Sequence, residues 1–373
     1  SGADDVHPID ALRPAPRHTL PLAEPSANAE ASRLSLSPLD PSSPTGSDAL
    51  RDAVIALRLC RDEGELAAMR RAVAVTADAH RAGMAATHPG ATEFDVQAAV
   101  ETVFARHGMR PAYGSIVTVR GEVLHGHADG AVLQDGDLLL VDAGAEEPGG
   151  YASDVTRTWP VSGRFSPRQR AVYDAVLEAN RISTTLVRAG ARYRDVHLAS
   201  ARVICAFGRD EGLLRGDLDG LLEQGAHAVL FPHGVGHLLG LDVHDMELFG
   251  DAVGYAPGRG RSDQFGLSYL RLDRDLEVGM VVTVEPGFYV VPAILADAAL
   301  RSRLASAVDW DRIAGWVGFG GIRIEDDVAV TAGDPEILSE GIPRTADEVE
   351  SAVGNGRAPR DTTVQASAAD RPR

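Results

Sequence analysis

Asp137-Leu-Leu-Leu-Val-Asp142-Ala-Gly144 and Met280-Val-Val-Thr-Val-Glu285-Pro-Gly287 line up residue for residue, each an apolar run closed by a carboxylate two positions before a glycine. The correspondence continues downstream, where Gly150-Tyr-Ala-Ser-Asp154 and Gly321-Ile-Arg-Ile-Glu325 each carry a carboxylate four residues after a glycine. Apolar runs of this length read as strands. The chain is therefore expected to consist of two similar halves, each supplying two carboxylates. Any one of the four reads most simply as a strand cap or a solvent-facing group. Four at matched positions in a sheet would repel one another and lose hydration, so a shared cluster needs a compensating cation.

Helical patterns flank these strands. Glu63 to Ala86 has apolar residues at helical spacing, and Thr92 to His107 opens on Thr92 with Asp95 three residues on and closes at Gly108. Strands are expected at Tyr113 to Val119, Asp137 to Gly144 and Tyr151 to Val161. Helices at Ser166 to Arg188 and Tyr193 to Phe207 precede strands at Met280 to Tyr289 and Ile322 to Thr331. Helices followed by strands, given twice, make an α+β chain.

Composition narrows the function classes. A net charge of -18 over 373 residues disfavours nucleic acid, whose binders use clustered cations against phosphates. All 36 basic residues are arginine and they are scattered, which we read as compositional bias. No apolar run approaches the roughly 20 residues of a membrane helix, and the Ser1-Gly2-Ala3-Asp4-Asp5 start lacks a signal pattern, so a cytoplasmic location is expected. Cys60 and Cys205 cannot build a disulfide framework and read as small, buried residues. Residues 1–48 hold eight of the 21 prolines and read as extended or disordered; 49–350 read as the folded domain and 351–373 as a flexible tail.

Phe231-Pro-His233-Gly-Val-Gly-His237-Leu-Leu-Gly-Leu-Asp-Val-His244-Asp245 places three histidines within twelve positions, separated by glycines, and His125 stands apart in Val123-Leu-His125-Gly126. A lone histidine is usually structural, but this density in a chain of 12 histidines points to a site. One imidazole with four carboxylates suits Mn²⁺, Co²⁺, Zn²⁺ or Fe²⁺. His127 is expected to carry no catalytic role, and Trp159 and Trp316 read as core or pocket-edge aromatics.

The strings VDAG, GYASDVTRTWPV, HGVGHLLGLDVHD, VEPGFY and GIRIEDD, in this order over about residues 50 to 335, resemble the pita-bread metallopeptidases that include aminopeptidase P and Xaa-Pro dipeptidase. Methionine aminopeptidases share that fold but not the LDVHD continuation. The resemblance implies two pseudo-symmetric α/β halves around a curved antiparallel sheet. It also implies two divalent metal ions, Mn²⁺ first, sharing one hydroxide: Asp142 chelates one metal, His237 and Glu285 bind the other, and Asp154 and Glu325 bridge. Glu285 would also shuttle a proton to the departing proline nitrogen, His244 would steady the oxyanion, His125 and His233 would line the substrate pocket, and Arg323 and Tyr289 would orient ligands and substrate.

The implied activity is release of the first residue of peptides with proline second, in a homodimer without nucleic-acid or membrane partners. A dipeptidase, a degenerate binding protein and a metal-free creatinase-like hydrolase are the alternatives, and five filled ligand positions argue against the last two. Members of that family carry a whole domain ahead of the catalytic half, whereas about 50 residues precede it here, so a small variant or a truncated chain is expected. The connections at 246–275 and between Glu285 and Glu325, with a helix expected at Ala296 to Ala307, are long enough to form lids that restrict entry to short peptides.

Overall fold

The computed structural model describes residues 47–354. Except for residues 47–48 and 351–354, the expected proline-rich segment and the expected tail lie outside them. Helix α1 (Ser47–Arg58) leads through a short turn into α2 (Glu63–Ala86) and α3 (Glu93–Arg106), which pack on each other. Both of the longer helices start at capping boxes, Asp62 with Glu65 and Thr92 with Asp95, in which side chain and backbone N–H satisfy each other reciprocally. In the second half, α4 (Pro167–Thr185) opens on a Ser166 capping box with proline in the first turn and pairs with α5 (Tyr193–Asp210).

The strands are shorter than the sequence suggests, and those that carry the site acids stop at or beside a carboxylate. In the first half, β2 (Ile116–Thr118), β3 (Leu138–Asp142) and β5 (Thr156–Pro160) form one antiparallel ladder, and β1 (Arg110–Pro111) pairs with β4 (Ala145–Glu146). In the second half, β6 (Val281–Val284) and β7 (Gly287–Tyr289) are separated by Glu285 and Pro286, and β8 (Gly321–Arg323) and β9 (Asp326–Ala329) by Ile324 and Glu325. β7 pairs with β8, and β6 with β9, which also takes the edge strand β10 (Glu336–Ile337). A carboxylate at a break leaves the ladder intact on either side while its side chain turns inward. Gly144 has a further reason to be glycine, since a Cβ there would stand 1.8 Å from the Ser153 carbonyl oxygen.

The halves join where β5 meets β8: Thr158 exchanges two hydrogen bonds with the Arg323 backbone, and Glu325 N–H donates to Thr156 O at 3.0 Å. One large apolar cluster, with Trp159, Phe104, Phe231 and Phe288 fully buried, runs beneath both halves. This is the expected pita-bread arrangement, with its curved sheet divided into four short ladders. The helix expected at Ala296 to Ala307 is instead two short ones, Pro292–Ala296 and Ala298–Arg303, because Asp297 caps the second. Trp159 and Trp316 are both buried, Cys205 is buried and Cys60 is half-buried. No helix among the described residues is long and apolar enough to cross a membrane.

Candidate metal centre

The breaks in β3/β5 and β6/β9 aim their carboxylates at one place. Ligand atoms of Asp154, His237 and Glu325 all lie within 4.8 Å of one another, and all three residues are buried. Glu285 joins from one side, with Oε1 3.7 Å from His237 Nε2, and Asp142 from the other through a shared partner. That partner is Tyr113, whose hydroxyl lies 2.5 Å from Asp142 Oδ1 and 2.6 Å from Asp154 Oδ1.

The donor set fits a divalent cation. His237 Nδ1 faces its own neighbour's carbonyl, Leu238 O, at 3.0 Å, so Nδ1 carries the hydrogen and the Nε2 lone pair points at Asp154 Oδ2, 3.3 Å away. A lone pair facing carboxylates is repulsive unless a proton or a cation lies between them. The carboxylates carry the same strain. Burial, helped by Asp154 and opposed by Arg323, pushes Asp142 up to about 6. Burial also raises Glu285, and burial with the charges of Asp154, Glu285 and Asp142 drives Glu325 well above the carboxylate range. Asp154 differs: burial opposes its charge, yet His237 and the Tyr113 hydroxyl hold it low. Three acids that burial and mutual repulsion hold back from ionising, around a fourth that stays charged, are the environment that a metal ion relieves.

A second set of donors ties the halves together around this cluster. Arg323, on β8, gives Nη2 to Asp142 Oδ2 at 2.6 Å, Nε to Thr156 Oγ1 at 2.9 Å and Nη1 to Tyr289 OH at 3.3 Å. Thr156 in turn donates to Glu325 Oε2 at 2.7 Å. Tyr289 donates to His233 Nε2 at 2.9 Å, and His233 Nδ1–H donates to Gly234 O at 2.7 Å. Both nitrogens of His233 are thereby committed, and burial pushes it down to about 3, so it stands in the wall as a neutral ring.

A cavity of about 910 Å³ opens above the cluster, and Asp142, Asp154, His237, Glu285 and Glu325 form part of its lining. His125, His233, His244 and Arg323 also line it. His125 sits in an exposed turn and is held low by burial and by the nearby Arg323 and Arg271. The His244 ring meets that of His237 edge-on at 4.4 Å. Arg271 Nη1 donates to His244 Nδ1 at 2.9 Å, which leaves the proton of a neutral ring on Nε2, free to donate. His127 packs its ring against Gly114. The 246–275 connection supplies much of the far wall, including Glu247, Arg261, Phe265 and Arg271, while Val291 and Ile294 come from the second long connection.

Sequence reasoning missed Tyr113, Thr156, Arg271 and Glu247. Thr156 stood two residues after Asp154 and would have faced the same way in an alternating strand. Tyr113 heads an expected strand with nothing to mark it as a partner of the acids, and Arg271 and Glu247 lie in the 246–275 connection, so only folding brings these three to the cavity.

The chain is similar to known peptidases. The model of Metallopeptidase family M24 matches residues 67–332. The chain is 37% identical to the Xaa-Pro aminopeptidase of Escherichia coli K12 over 304 residues, 81% of this chain and 60% of that protein. It is 35% identical to the human Xaa-Pro dipeptidase over 312 residues, 82% of this chain and 62% of that protein. Among solved structures, the aminopeptidase PepP of Pseudomonas aeruginosa matches with a TM-score of 0.68 and 35% identity, covering 89% of this chain and 66% of that one. A zinc-substituted E. coli aminopeptidase P in complex with product matches with the same TM-score and identity, covering 89% and 67%. The chain thus spans about three fifths of the length of these curated relatives.

Proposed function

The chain belongs to metallopeptidase family M24, and from that premise we propose that it is a metal-dependent exopeptidase removing the first residue from peptides whose second residue is proline. The observation that carries the reading is the buried cluster of four carboxylates and one imidazole at the base of a cavity of about 910 Å³ whose wall holds His125, His233 and His244. Asp142, Asp154, His237, Glu285 and Glu325 would hold the cations, Mn²⁺ before Co²⁺, Zn²⁺ or Fe²⁺, in two unequal positions of which one has the imidazole. Bound there, divalent cations supply Lewis acidity toward the scissile carbonyl and lower the pKa of water.

The protein's own groups divide the remaining work. The Glu285 carboxylate accepts no hydrogen bond among the described residues, and burial raises its pKa, so it is suited to take a proton from water and give it to the leaving proline nitrogen. His244, with Nε2–H free, donates to the oxygen that gains charge. Arg323 keeps Asp142 oriented, and Tyr289 keeps His233 turned in the pocket wall.

The choice between aminopeptidase and dipeptidase rests on charge. A dipeptide presents a carboxylate directly after proline and needs a cation there. Each guanidinium in the cavity wall already has a carboxylate of its own: Arg271 with Glu247 at 2.7 Å, Arg261 with Asp251 at 2.8 Å and Arg323 with Asp142 at 2.6 Å. That favours a peptide continuing as a neutral amide. Relatives carrying both activities in their names keep the dipeptidase as the second reading.

The test is a panel of Xaa-Pro and Xaa-Pro-Yaa peptides offered to chelated protein reconstituted with Mn²⁺, Co²⁺ or Zn²⁺. Faster cleavage of Xaa-Pro-Yaa supports the aminopeptidase, faster cleavage of Xaa-Pro the dipeptidase, and no cleavage with any cation refutes both. Long Xaa-Pro polypeptides should be cut more slowly than tripeptides, since the 246–275 segment walls the cavity. Equal rates would remove the lid.

A further inference from the structure

Ahead of the family-matched residues 67–332, Arg58 at the end of α1 and Arg61 in the turn that follows both reach one carboxylate, Asp245, the neighbour of His244. Arg61 Nη2 bonds Asp245 Oδ2 at short range and the Leu239 carbonyl at 3.2 Å. Arg58 Nη2 bonds Asp245 Oδ1 at 2.5 Å and Asp242 Oδ2 at 2.9 Å. The Asp245 side chain is fully covered and that of Arg61 is 2% exposed.

The segment this pair touches is tied to the sheet at its start, where Leu239 N–H donates to Val281 O at 3.0 Å and Gly240 O accepts from Ala152 N–H at 2.9 Å, and at its end Arg271 donates to the His244 ring at 2.9 Å. Apart from a single bridge from Leu238 to Val282, residues 238–245 belong to no helix or strand, although they connect His237 to His244. Their turn is closed by Asp245 itself, whose backbone N–H donates to Leu238 O at 3.0 Å and whose carboxylate accepts the Asp242 N–H at 3.3 Å. Arg61 lies so close over Gly240 that a Cβ there would stand 2.0 Å from Nη2. The Arg61 backbone N–H is anchored to Gly279 O at 2.7 Å, just ahead of the strand that leads to Glu285. An arginine fixed through its backbone to the β6 approach and through its guanidinium to the His244 loop sets the distance between them.

We propose that Arg58, Arg61 and Asp245 form a positioning clasp for His244, by which the chain ahead of the matched region holds that imidazole against His237 and over the cavity. The clasp rests on the peptidase reading only in what His244 then does. A buried ion pair is a poor source of stability but a strong geometric constraint, because each charge must stay where its partner is.

The test uses the full chain loaded with Zn²⁺ and the variants Arg58→Gln, Asp245→Asn, Arg61→Gln and Arg61→Lys. Ring-nitrogen resonances of His244 should move in Arg58→Gln and Asp245→Asn while those of the distant, buried His80 and His227 stay in place. On an Xaa-Pro-Yaa peptide, Asp245→Asn should lower kcat by about 10- to 100-fold with KM within about twofold, the pattern of a mispositioned group acting in the transition state. Arg61→Lys, which keeps the charge, should recover most of what Arg61→Gln loses. The proposal is overturned if the His244 resonances do not move, if all histidines move together with a falling Tm, or if KM rises at constant kcat. Should Asp245→Asn fail to fold, the partly exposed Arg58→Gln decides. If the parent chain cleaves no peptide, the activity reading fails while the ring spectrum still decides the clasp.

Discussion

The two halves of the molecule offer carboxylates at matched positions and support them differently. In the first half Asp142 and Asp154 are short side chains joined by one hydroxyl, that of Tyr113, and Asp142 is held from behind by Arg323. In the second half Glu325 is held by a hydroxyl borrowed from the first half, Thr156, and Glu285 has no hydrogen-bond donor among the described residues. The ladders differ too: β3 pairs with β5 so that Asp142 faces Thr156, two residues past Asp154, whereas β6 pairs with β9 so that Val284 faces Asp326, the residue after Glu325. A repeated backbone therefore gives four similar positions and unequal jobs. The tethered half suits fixed ligands, and the untethered glutamate suits a group that must gain and lose a proton.

The most damaging way to probe this division is Glu325→Ala, which removes the carboxylate that donors from the first half orient. Turnover of an Xaa-Pro-Yaa peptide should fall by on the order of 10³-fold or more, with less than the parent's cation content by elemental analysis. Retained turnover would refute the two-metal mechanism. Glu285→Gln keeps shape but cannot carry the proton, so kcat should fall by roughly 10²- to 10⁴-fold; a loss confined to KM would end its assignment as proton carrier. Tyr113→Phe removes the tether from the first half alone. Mn²⁺ affinity measured calorimetrically should weaken by about 10- to 100-fold, and unchanged affinity would erase the difference drawn between the halves.

The smallest effect concerns acid stability. In the first half the buried His80 is held down to about 4 by burial, and its Nε2 is bonded to Ala143 O at 3.1 Å. In the second half His197 and His227 face each other edge-on at 5.6 Å with no hydrogen-bond partner on any ring nitrogen. Burial holds His227 down to about 4 and His197 well below its ordinary value. Below the ordinary value of 6.5 the unfolded chain takes up protons that the folded chain refuses, so stability is full above pH 6.5 and declines as pH falls towards about 4. His80 and His227 each account for up to roughly 3 kcal/mol by 1.36 kcal/mol per pKa unit. Hydrogen exchange followed from pH 7 to 4.5 should show the α5 region loosening before α2. Loosening of both together would mean that the missing partners make no difference, and His227→Phe should flatten the decline if it folds.

Much of this was legible in the order of residues. The capping pair Thr92 and Asp95 marked one helix start, because capping is a local interaction between residues three apart. The matched acid-then-glycine runs placed Asp142, Asp154, Glu285 and Glu325 in corresponding strands, because alternation and repeat are properties of the chain itself. The strand ends were not legible: Glu285 and Pro286 interrupt what reads as one apolar run, and the ladder stops where side chains must turn into the centre.

What the sequence determined alone is the inventory: two halves, four carboxylates, a histidine cluster and the family they resemble. Tertiary structure decided which donors complete it. Tyr113 reaches Asp142 across 29 positions, Arg323 reaches it across 181, and Arg61 reaches Asp245 across 184. Hydrogen bonds over such separations leave no periodic trace, since they depend on where strands and turns come to rest in space. The strength of each site carboxylate as an acid has the same origin, because burial and the charges of neighbours set it, and neither exists until the chain has folded.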